Sequence, residues 1–109
     1  MANYVFIETR DPFESRDTLF VEETAIALKQ NGHQVIVLLL QNGVLASRTN
    51  ARDQSLVRMA GAGISLRADD FSLRERGIQP AELQPLIKRS DIESLVEDLT
   101  QENTKAIWH

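Results

Sequence analysis

The continuous apolar run from Val35 to Leu40 is the sequence feature that most constrains the fold. A run without alternating polar residues is typical of a strand covered on both faces of a parallel sheet. A similar run, Tyr4 to Ile7, lies nearer the start of the chain. Between the two runs, Asn31-Gly32 predicts the left-handed end of an amphipathic helix. That helix has apolar residues at i, i+4 and i+7, namely Val21, Ala25 and Leu28. Residues 4–40 are therefore expected to form one strand-helix-strand crossover.

The rest of the chain continues this alternation. Further strands are predicted at 63–67, 86–87 and 106–108, and shorter helices are predicted after Asn50, after Asp69 or Asp70, and after Ser90. The last of these begins with a Ser90–Glu93 capping box, and its apolar stripe is expected to be Ile92, Leu95, Val96 and Leu99. The pattern predicts one domain, residues 1–109, with a three-layer α/β/α flavodoxin-like sheet of about five mainly parallel strands. A strand order of 2-1-3-4-5 is expected, which places a crevice between strands one and three.

Composition excludes several classes of function. The 109 residues contain 12 Lys and Arg against 16 Asp and Glu, a net charge of -4 that gives no positive field for nucleic acid. The absence of cysteine excludes disulfides, thiolate metal sites and thiol nucleophiles on these residues. The start has no signal-peptide pattern, and no apolar run approaches the roughly 20 residues that span a bilayer. We expect a cytoplasmic protein with neither membrane nor nucleic-acid partners.

Charged residues cluster in the two loops that the expected strand order brings together. Loop one, residues 8–17, contributes Arg10 and Arg16, and its Asp11-Pro12-Phe13-Glu14 segment fits a helix capping box with proline at the first helical position. Loop three, residues 67–76, contributes the densest charged group: Arg67, Asp69, Asp70 and Arg74. These side chains predict either a small-anion or metabolite site or mutual salt bridges on a solvated surface. Loop one has no glycine-rich phosphate motif, and neither a metal nor another cofactor is expected.

The histidines and the tryptophan have simpler interpretations. Neither His33 nor His109 has a serine or carboxylate at the spacing of a catalytic triad, so a structural role is expected for His33 and only local contacts for His109. Trp108 lies in the last predicted strand, where a large aromatic is either part of the core or an interface anchor. Both interpretations of Trp108 stay open.

Several motifs, taken in order, resemble those of the DsrE/DsrF/DsrH-like family, which includes the TusBCD sulfur-relay proteins and YchN-type hexamers. The motifs span nearly the whole chain and are Pro12, Ala25-Ile26-Ala27-Leu28 followed by residues 31–37, Asn42-Gly43-Val44, and Glu75-Arg76-Gly77-Ile78. The resemblance implies a flavodoxin-like fold, assembly into trimers or hexamers, and in many members a persulfide on a cysteine shortly after strand three. Here that window, Leu66 to Asp70, reads Leu-Arg-Ala-Asp-Asp and has no thiol.

The resemblance, the missing cysteine and the charged loops leave three possible functions. The favoured one is a cysteine-free, non-catalytic or regulatory oligomeric subunit related to sulfur-relay proteins. Such a subunit would form a homo-trimer, a homo-hexamer, or a hetero-oligomer with cysteine-bearing DsrE-like relatives. The sheet edge, Trp108 and loop three would supply its contact surface. The alternative is a small-anion or metabolite binder in the crevice between loops one and three. A third is an enzyme that uses Asp69 or Asp70 as acid or base, although neither has a partner motif. Persulfide carriage is excluded because no cysteine is present.

Overall fold

A computed structural model describes all 109 residues of the chain and contains five strands and four α-helices. The strands are β1 Asn3–Glu8, β2 Gln34–Leu39, β3 Ser65–Asp69, β4 Lys88–Ser90 and β5 Thr104–Trp108. The helices are α1 Thr18–Gln30, α2 Ser55–Gly61, α3 Asp70–Glu75 and α4 Ile92–Leu99. Two short 3-10 helices, Gln41–Ser47 and Pro80–Glu82, complete the structure.

The five strands form one parallel sheet in the order β4-β3-β2-β1-β5. Helices cover both faces of this sheet, which confirms the predicted three-layer α/β/α class. The predicted order 2-1-3-4-5 is wrong. The first three crossovers all step in one direction along the sheet, so β2 lies between β1 and β3, and the direction reverses only when β5 returns to the free side of β1.

The two faces of the sheet are covered to very different extents. On one face, α1, α2 and α3 bury the main core of 16 residues, in which Phe6 of β1 and Val37 of β2 are fully buried. On the other face, α4 alone provides cover, and only Leu95 of this helix is buried. Leu95 packs on Val5, Ile7 and Leu38. The second hydrophobic cluster is accordingly much smaller than the first.

The local predictions for helix ends are confirmed at some positions and wrong at others. Gly32 has a φ of 90° and ends the first crossover helix as expected. The helix α1 begins at Thr18, beyond the predicted capping box, because Asp11 is buried and its carboxylate accepts the N–H of Phe13 at 3.1 Å in a tight turn. Asn50 does not cap α2, and Asp53, just ahead of the helix, accepts the N–H of Ser55 at 2.7 Å.

The last third of the chain is also shifted slightly from the prediction. The fourth strand occupies residues 88–90 and not 86–87, because Ile87 is buried in the core as the chain enters the strand. Asp91 and not Ser90 caps α4, and its carboxylate accepts the N–H of Ser94 at 2.9 Å. These differences are of a few residues and leave the element order unchanged.

The end of β1 touches the 3-10 helix that follows β2 at one glycine. A Cβ atom at Gly43 would overlap the carbonyl oxygen of Glu8, which itself accepts the N–H of Leu40 at 2.9 Å. Only glycine lets the two backbones approach this closely. By contrast, Gly61 at the end of α2 has open space where a Cβ would stand.

Gly43→Ala should therefore destabilise the protein by about 1–3 kcal/mol, the usual effect of forcing extra atoms into a packed site. The matched variant Gly61→Ala should change the free energy of unfolding by no more than about 1 kcal/mol, in the stabilising direction, because it restricts the unfolded chain without a clash. Urea unfolding followed by circular dichroism measures both. Equal effects of the two substitutions would contradict the close approach at Gly43.

Candidate functional site

The charged residues of loop three do not converge on one site. Arg67 points to the α4 side of the sheet and forms an ion pair with Asp98. Asp69 is the N-cap of α3, where its carboxylate accepts the N–H and the hydroxyl of Ser72 at 2.9 Å and 2.7 Å. Both side chains thus have partners within the fold.

Asp70 and Arg74 lie at the surface and pair with each other. The distance between Arg74 Nη1 and Asp70 Oδ2 is 2.9 Å, one turn apart on α3, and Arg89 of β4 approaches the other carboxylate oxygen of Asp70 at 3.6 Å. This arrangement is the mutual salt bridging that the sequence left open as one interpretation. Exposed pairs of this kind contribute little to stability.

The arginines of loop one are also separated from loop three. Arg10 forms an exposed ion pair with Asp17 at 3.0 Å. Arg16 has no ion-pair partner and lines a cleft of about 180 Å³ beside Glu22 and Arg58, which hold each other in a two-point contact. Because β2 lies between β1 and β3, the six predicted ligand residues are distributed over different parts of the carboxyl edge and the α4 face.

The strand order reverses between β1 and β5, and a buried Glu–His pair lies at that point. Glu8 ends β1 with 5% of its surface exposed, and His109 directly follows β5. The imidazole Nδ1 of His109 lies 2.8 Å and 3.1 Å from the two carboxylate oxygens of Glu8. The backbone is fastened here as well, because the N–H and the hydroxyl of Thr9 both donate to the carbonyl of His109, at 3.0 Å and 2.8 Å.

Burial and hydrogen bonding act on Glu8 in opposite directions. Removal from water raises the pKa of Glu8, while the hydrogen bond and charge of His109 and the N–H and charge of Arg10 lower it, and burial prevails. The N–H of Arg10 donates to Glu8 Oε1 at 3.1 Å. The carboxylate of Glu8 is thus held against the imidazole of His109 in a largely buried position.

The space beside this pair is small. A cavity of about 20 Å³, lined by Glu8, Arg10, Thr18 and Gly43 among others, has room for about one water molecule. The chain has no group of three or more His, Asp or Glu side chains placed to hold a metal ion. What this geometry shows directly is a hydrogen bond between the carboxylate of Glu8 and the imidazole of His109.

Sequence reasoning missed this pair because its members are 101 positions apart. His109 has a carboxylate partner after all, so the expectation of local contacts only is wrong. The available signal was that Glu8 ends an apolar strand and that His109 follows another strand. The pairing could be deduced only by placing β5 beside β1. The expectation for His33 is consistent with the structure, since its Nδ1 accepts the N–H of Ala2 at 3.0 Å.

The outer side of α4 and the end of β5 form an exposed apolar surface. Ile92 and Val96 are 59% and 54% exposed and Leu99 is partly exposed, so Leu95 is the only residue of the predicted apolar stripe that is buried. Arg67 of β3 pairs with Asp98 on the opposite side of this helix from the exposed stripe. Trp108 is 63% exposed, so the core interpretation is wrong, while the interface interpretation stays a prediction. We call Ile92, Val96, Leu99 and Trp108 the α4–β5 surface.

Comparison with protein families and with curated proteins finds no match for this chain. Several solved structures share its fold, and three of them are the following. The ychN protein from E. coli superposes with a TM-score of 0.86 at 16% identity, over 100% of both chains. The protein of unknown function MTH1491 from Methanobacterium thermoautotrophicum gives 0.83 at 19% identity, also over 100% of both. The protein BT1422 from Bacteroides thetaiotaomicron, likewise of unknown function, gives 0.78 at 17% identity over 98% of this chain and 94% of its own.

These likenesses establish that the chain has the α/β fold of the ychN protein from end to end. None of the helices is long and apolar enough to cross a membrane. The fold was the part of the family resemblance that structure could test, and it is confirmed.

Replacing Glu8 by Gln should remove a pH-dependent loss of stability. Because burial raises the folded-state pKa of Glu8, the folded protein binds this proton more tightly than the unfolded chain does. The resulting stabilisation is complete below the unfolded-state pKa and is lost as the pH rises through the raised folded-state pKa. Glu8→Gln keeps an oxygen acceptor but cannot ionise. The free energy of unfolding of the wild type, measured relative to this variant, should therefore fall across that window.

Urea unfolding at a series of pH values measures this difference. The matched control is Glu23→Gln, which changes an exposed glutamate on α1 and should follow the wild type at every pH. A constant difference between wild type and Glu8→Gln across the series would show that Glu8 does not titrate as its burial requires.

Proposed function

We propose that this chain is a cysteine-free DsrE-like subunit that functions by assembly and not by carrying a persulfide. The fold shared with the ychN protein over the full length supports the structural half of this proposal. The chemical half depends on the sequence, because a persulfide requires a thiol and the chain has none. At the place after β3 where many relatives carry the cysteine, Asp69 caps α3.

The exposed α4–β5 surface is the observation that carries the proposal. Three aliphatic side chains and an indole lie on the same side of the sheet, and contiguous apolar groups of this kind mark interaction sites in soluble proteins. Tryptophan is among the residue types that contribute most to binding when they are buried at an interface. A partner that covers this surface would complete the thin layer that α4 forms by itself.

The function of such a subunit is to provide or regulate a surface within a sulfur-relay type of assembly. The partner copies are either the same chain, in a homo-trimer or homo-hexamer, or cysteine-bearing DsrE-like relatives in a mixed oligomer. In the mixed form the relative supplies the thiol, and this chain supplies contacts. In both forms Trp108 contacts the neighbouring subunit.

Anion or metabolite binding by the loop arginines is less well supported. Arg10, Arg67 and Arg74 each have a carboxylate partner within the chain, which leaves little uncompensated positive charge for a ligand. Arg16 alone among the four has no such partner. The cavity beside Glu8 and Arg10 is too small for a metabolite, and the larger cleft at Arg16 is lined by Glu22 and Arg58, which already pair with each other.

Native mass spectrometry of the protein drawn gently from its own cells tests the assembly proposal. We expect a trimer, a hexamer or a mixed oligomer with a thiol-bearing relative of the same fold. Trp108→Ser should weaken self-association by about 30-fold or more, the equivalent of about 2 kcal/mol for an interface anchor. The matched control is Phe71→Ser on α3, which changes an equally exposed aromatic away from the proposed contact.

A monomeric wild type would overturn the proposal. So would an oligomer that survives Trp108→Ser and dissociates with Phe71→Ser, because the contact surface would then lie around α3.

A further inference from the structure

The two edges of the sheet are protected to different degrees. Soluble proteins protect exposed edge strands by keeping them short or by placing charges on them. The edge strand β4 has both features, since it is three residues long and contains Lys88 and Arg89. The edge strand β5 is longer, has one lysine and ends in an exposed tryptophan. It is the edge that remains open to another strand.

The register of β5 on β1 determines which backbone groups face outward. Asn3 donates to the carbonyl of Asn103 at 3.0 Å, and at the other end His109 donates to the carbonyl of Ile7 at 2.8 Å. In a parallel ladder, alternate residues bond to the same neighbour. Residues 103, 105, 107 and 109 therefore bond to β1, and three residues turn their N–H and C=O groups outward: Thr104, Ala106 and Trp108.

We propose that β5 pairs antiparallel with β5 of a second copy of this chain, around a two-fold axis between the two Ala106 residues. This inference rests on the proposed assembly function and specifies its partner and contact. In this arrangement Ala106 lies opposite Ala106 of the second copy. Thr104 lies opposite Trp108 of the second copy, and Trp108 lies opposite its Thr104. Each of these pairs exchanges two backbone hydrogen bonds, as directly opposed outward residues do in an antiparallel ladder.

The edge is self-complementary in shape and charge. The smallest side chain, Ala106, lies at the centre, where the two copies come closest. Lys105 has its side chain on the other face, over the ring of Tyr4, and in this register it lies opposite Ile107 of the second copy and not opposite another lysine. Like charges directly opposite each other would weaken the pairing, and in this register none meet.

The pairing also places the exposed apolar residues next to one another. Since α4 has Asp98 on the side of β3, the 3.6-residue turn places Val96 and Leu99 on the side of β5. An antiparallel second copy brings its Trp108 to the end of β5 that begins with Thr104. Only four residues, 100–103, connect Leu99 to that end, so the indole of one copy would lie near the end of α4 in the other. The α4–β5 surface is thus shared across the axis.

A cysteine at the axis tests this pairing directly, because the chain has no other thiol. Directly opposed, hydrogen-bonded residues have Cα atoms about 5.5 Å apart, which suits a disulfide. Under mild oxidation, Ala106→Cys should convert from monomer mass to covalent dimer. The matched control Lys88→Cys on the other edge strand should stay largely uncrosslinked. Equal crosslinking of the two variants, or none in either, would overturn the proposal.

A proline at the same position provides a second, independent measurement. The N–H of Ala106 faces outward, so Ala106→Pro leaves the β1–β5 ladder intact, as proline is tolerated on the open side of an edge strand. It removes both hydrogen bonds at the axis and should weaken self-association by about 10- to 100-fold. The far-ultraviolet circular dichroism should stay unchanged. Undiminished association of a folded Ala106→Pro would contradict the pairing.

The outcomes separate this inference from the function on which it rests. A monomeric wild type refutes both. An oligomeric wild type in which Ala106→Cys fails to crosslink refutes the β5 pairing alone. An assembly with three-fold contacts only, such as a plain trimer, also refutes the pairing, because a two-fold contact produces dimers or hexamers.

Discussion

The return of the chain from β4 to the free side of β1 is the constraint on which the rest of this structure depends. Right-handed crossovers step from β1 through β2 and β3 to β4 and place α1, α2 and α3 on one face. The last crossover moves in the opposite direction along the sheet. To keep the same handedness, its helix must lie on the opposite face. A single helix of eight residues, α4, is therefore left to cover that face of the five-stranded sheet.

Two features of the molecule follow from this one connection. At the carboxyl edge, β5 brings His109 against Glu8, and the pair is buried because the strands on both sides of β1 enclose it. Along the outer edge, β5 exposes its backbone and Trp108 next to the uncovered side of α4. The first feature holds the end of the sheet together, and the second provides a surface on which another subunit can pack. In the order expected from the sequence, β5 would still be an edge strand but would lie beside β4, so the contact of His109 with Glu8 would be lost.

The sequence predicted local structure well because local structure depends on local periodicity. The apolar runs became β1 and β2, Asp69 caps α3, and Gly32 ends the first helix. The predictions that failed depend on long-range contacts or on competition between two local structures. The strand order was wrong because a crossover fixes handedness but not which side of the sheet the next strand joins. The capping box at Asp11 failed because that residue is buried in a turn of its own.

The function could be predicted from the sequence only in part, for similar reasons. The absence of cysteine is visible in the sequence and determines which chemistry is excluded. The pattern of α4 revealed an apolar stripe but not its orientation, which depends on the pairing of Arg67 with Asp98. The exposure of Trp108 depends on β5 being an edge strand. A periodic stripe identifies an amphipathic helix, and only the tertiary structure shows what the helix packs against.

Backbone amide exchange along β5 tests the central claim most directly. In the assembled protein the outward amides of Thr104, Ala106 and Trp108 should exchange as slowly as the inward amides of Lys105 and Ile107, because both sets are hydrogen-bonded. After dilution to the monomer, only the inward pair should stay protected, so that protection alternates along the strand. Fast exchange at the three outward positions in the assembled protein would contradict the claim that β5 is the contact between copies.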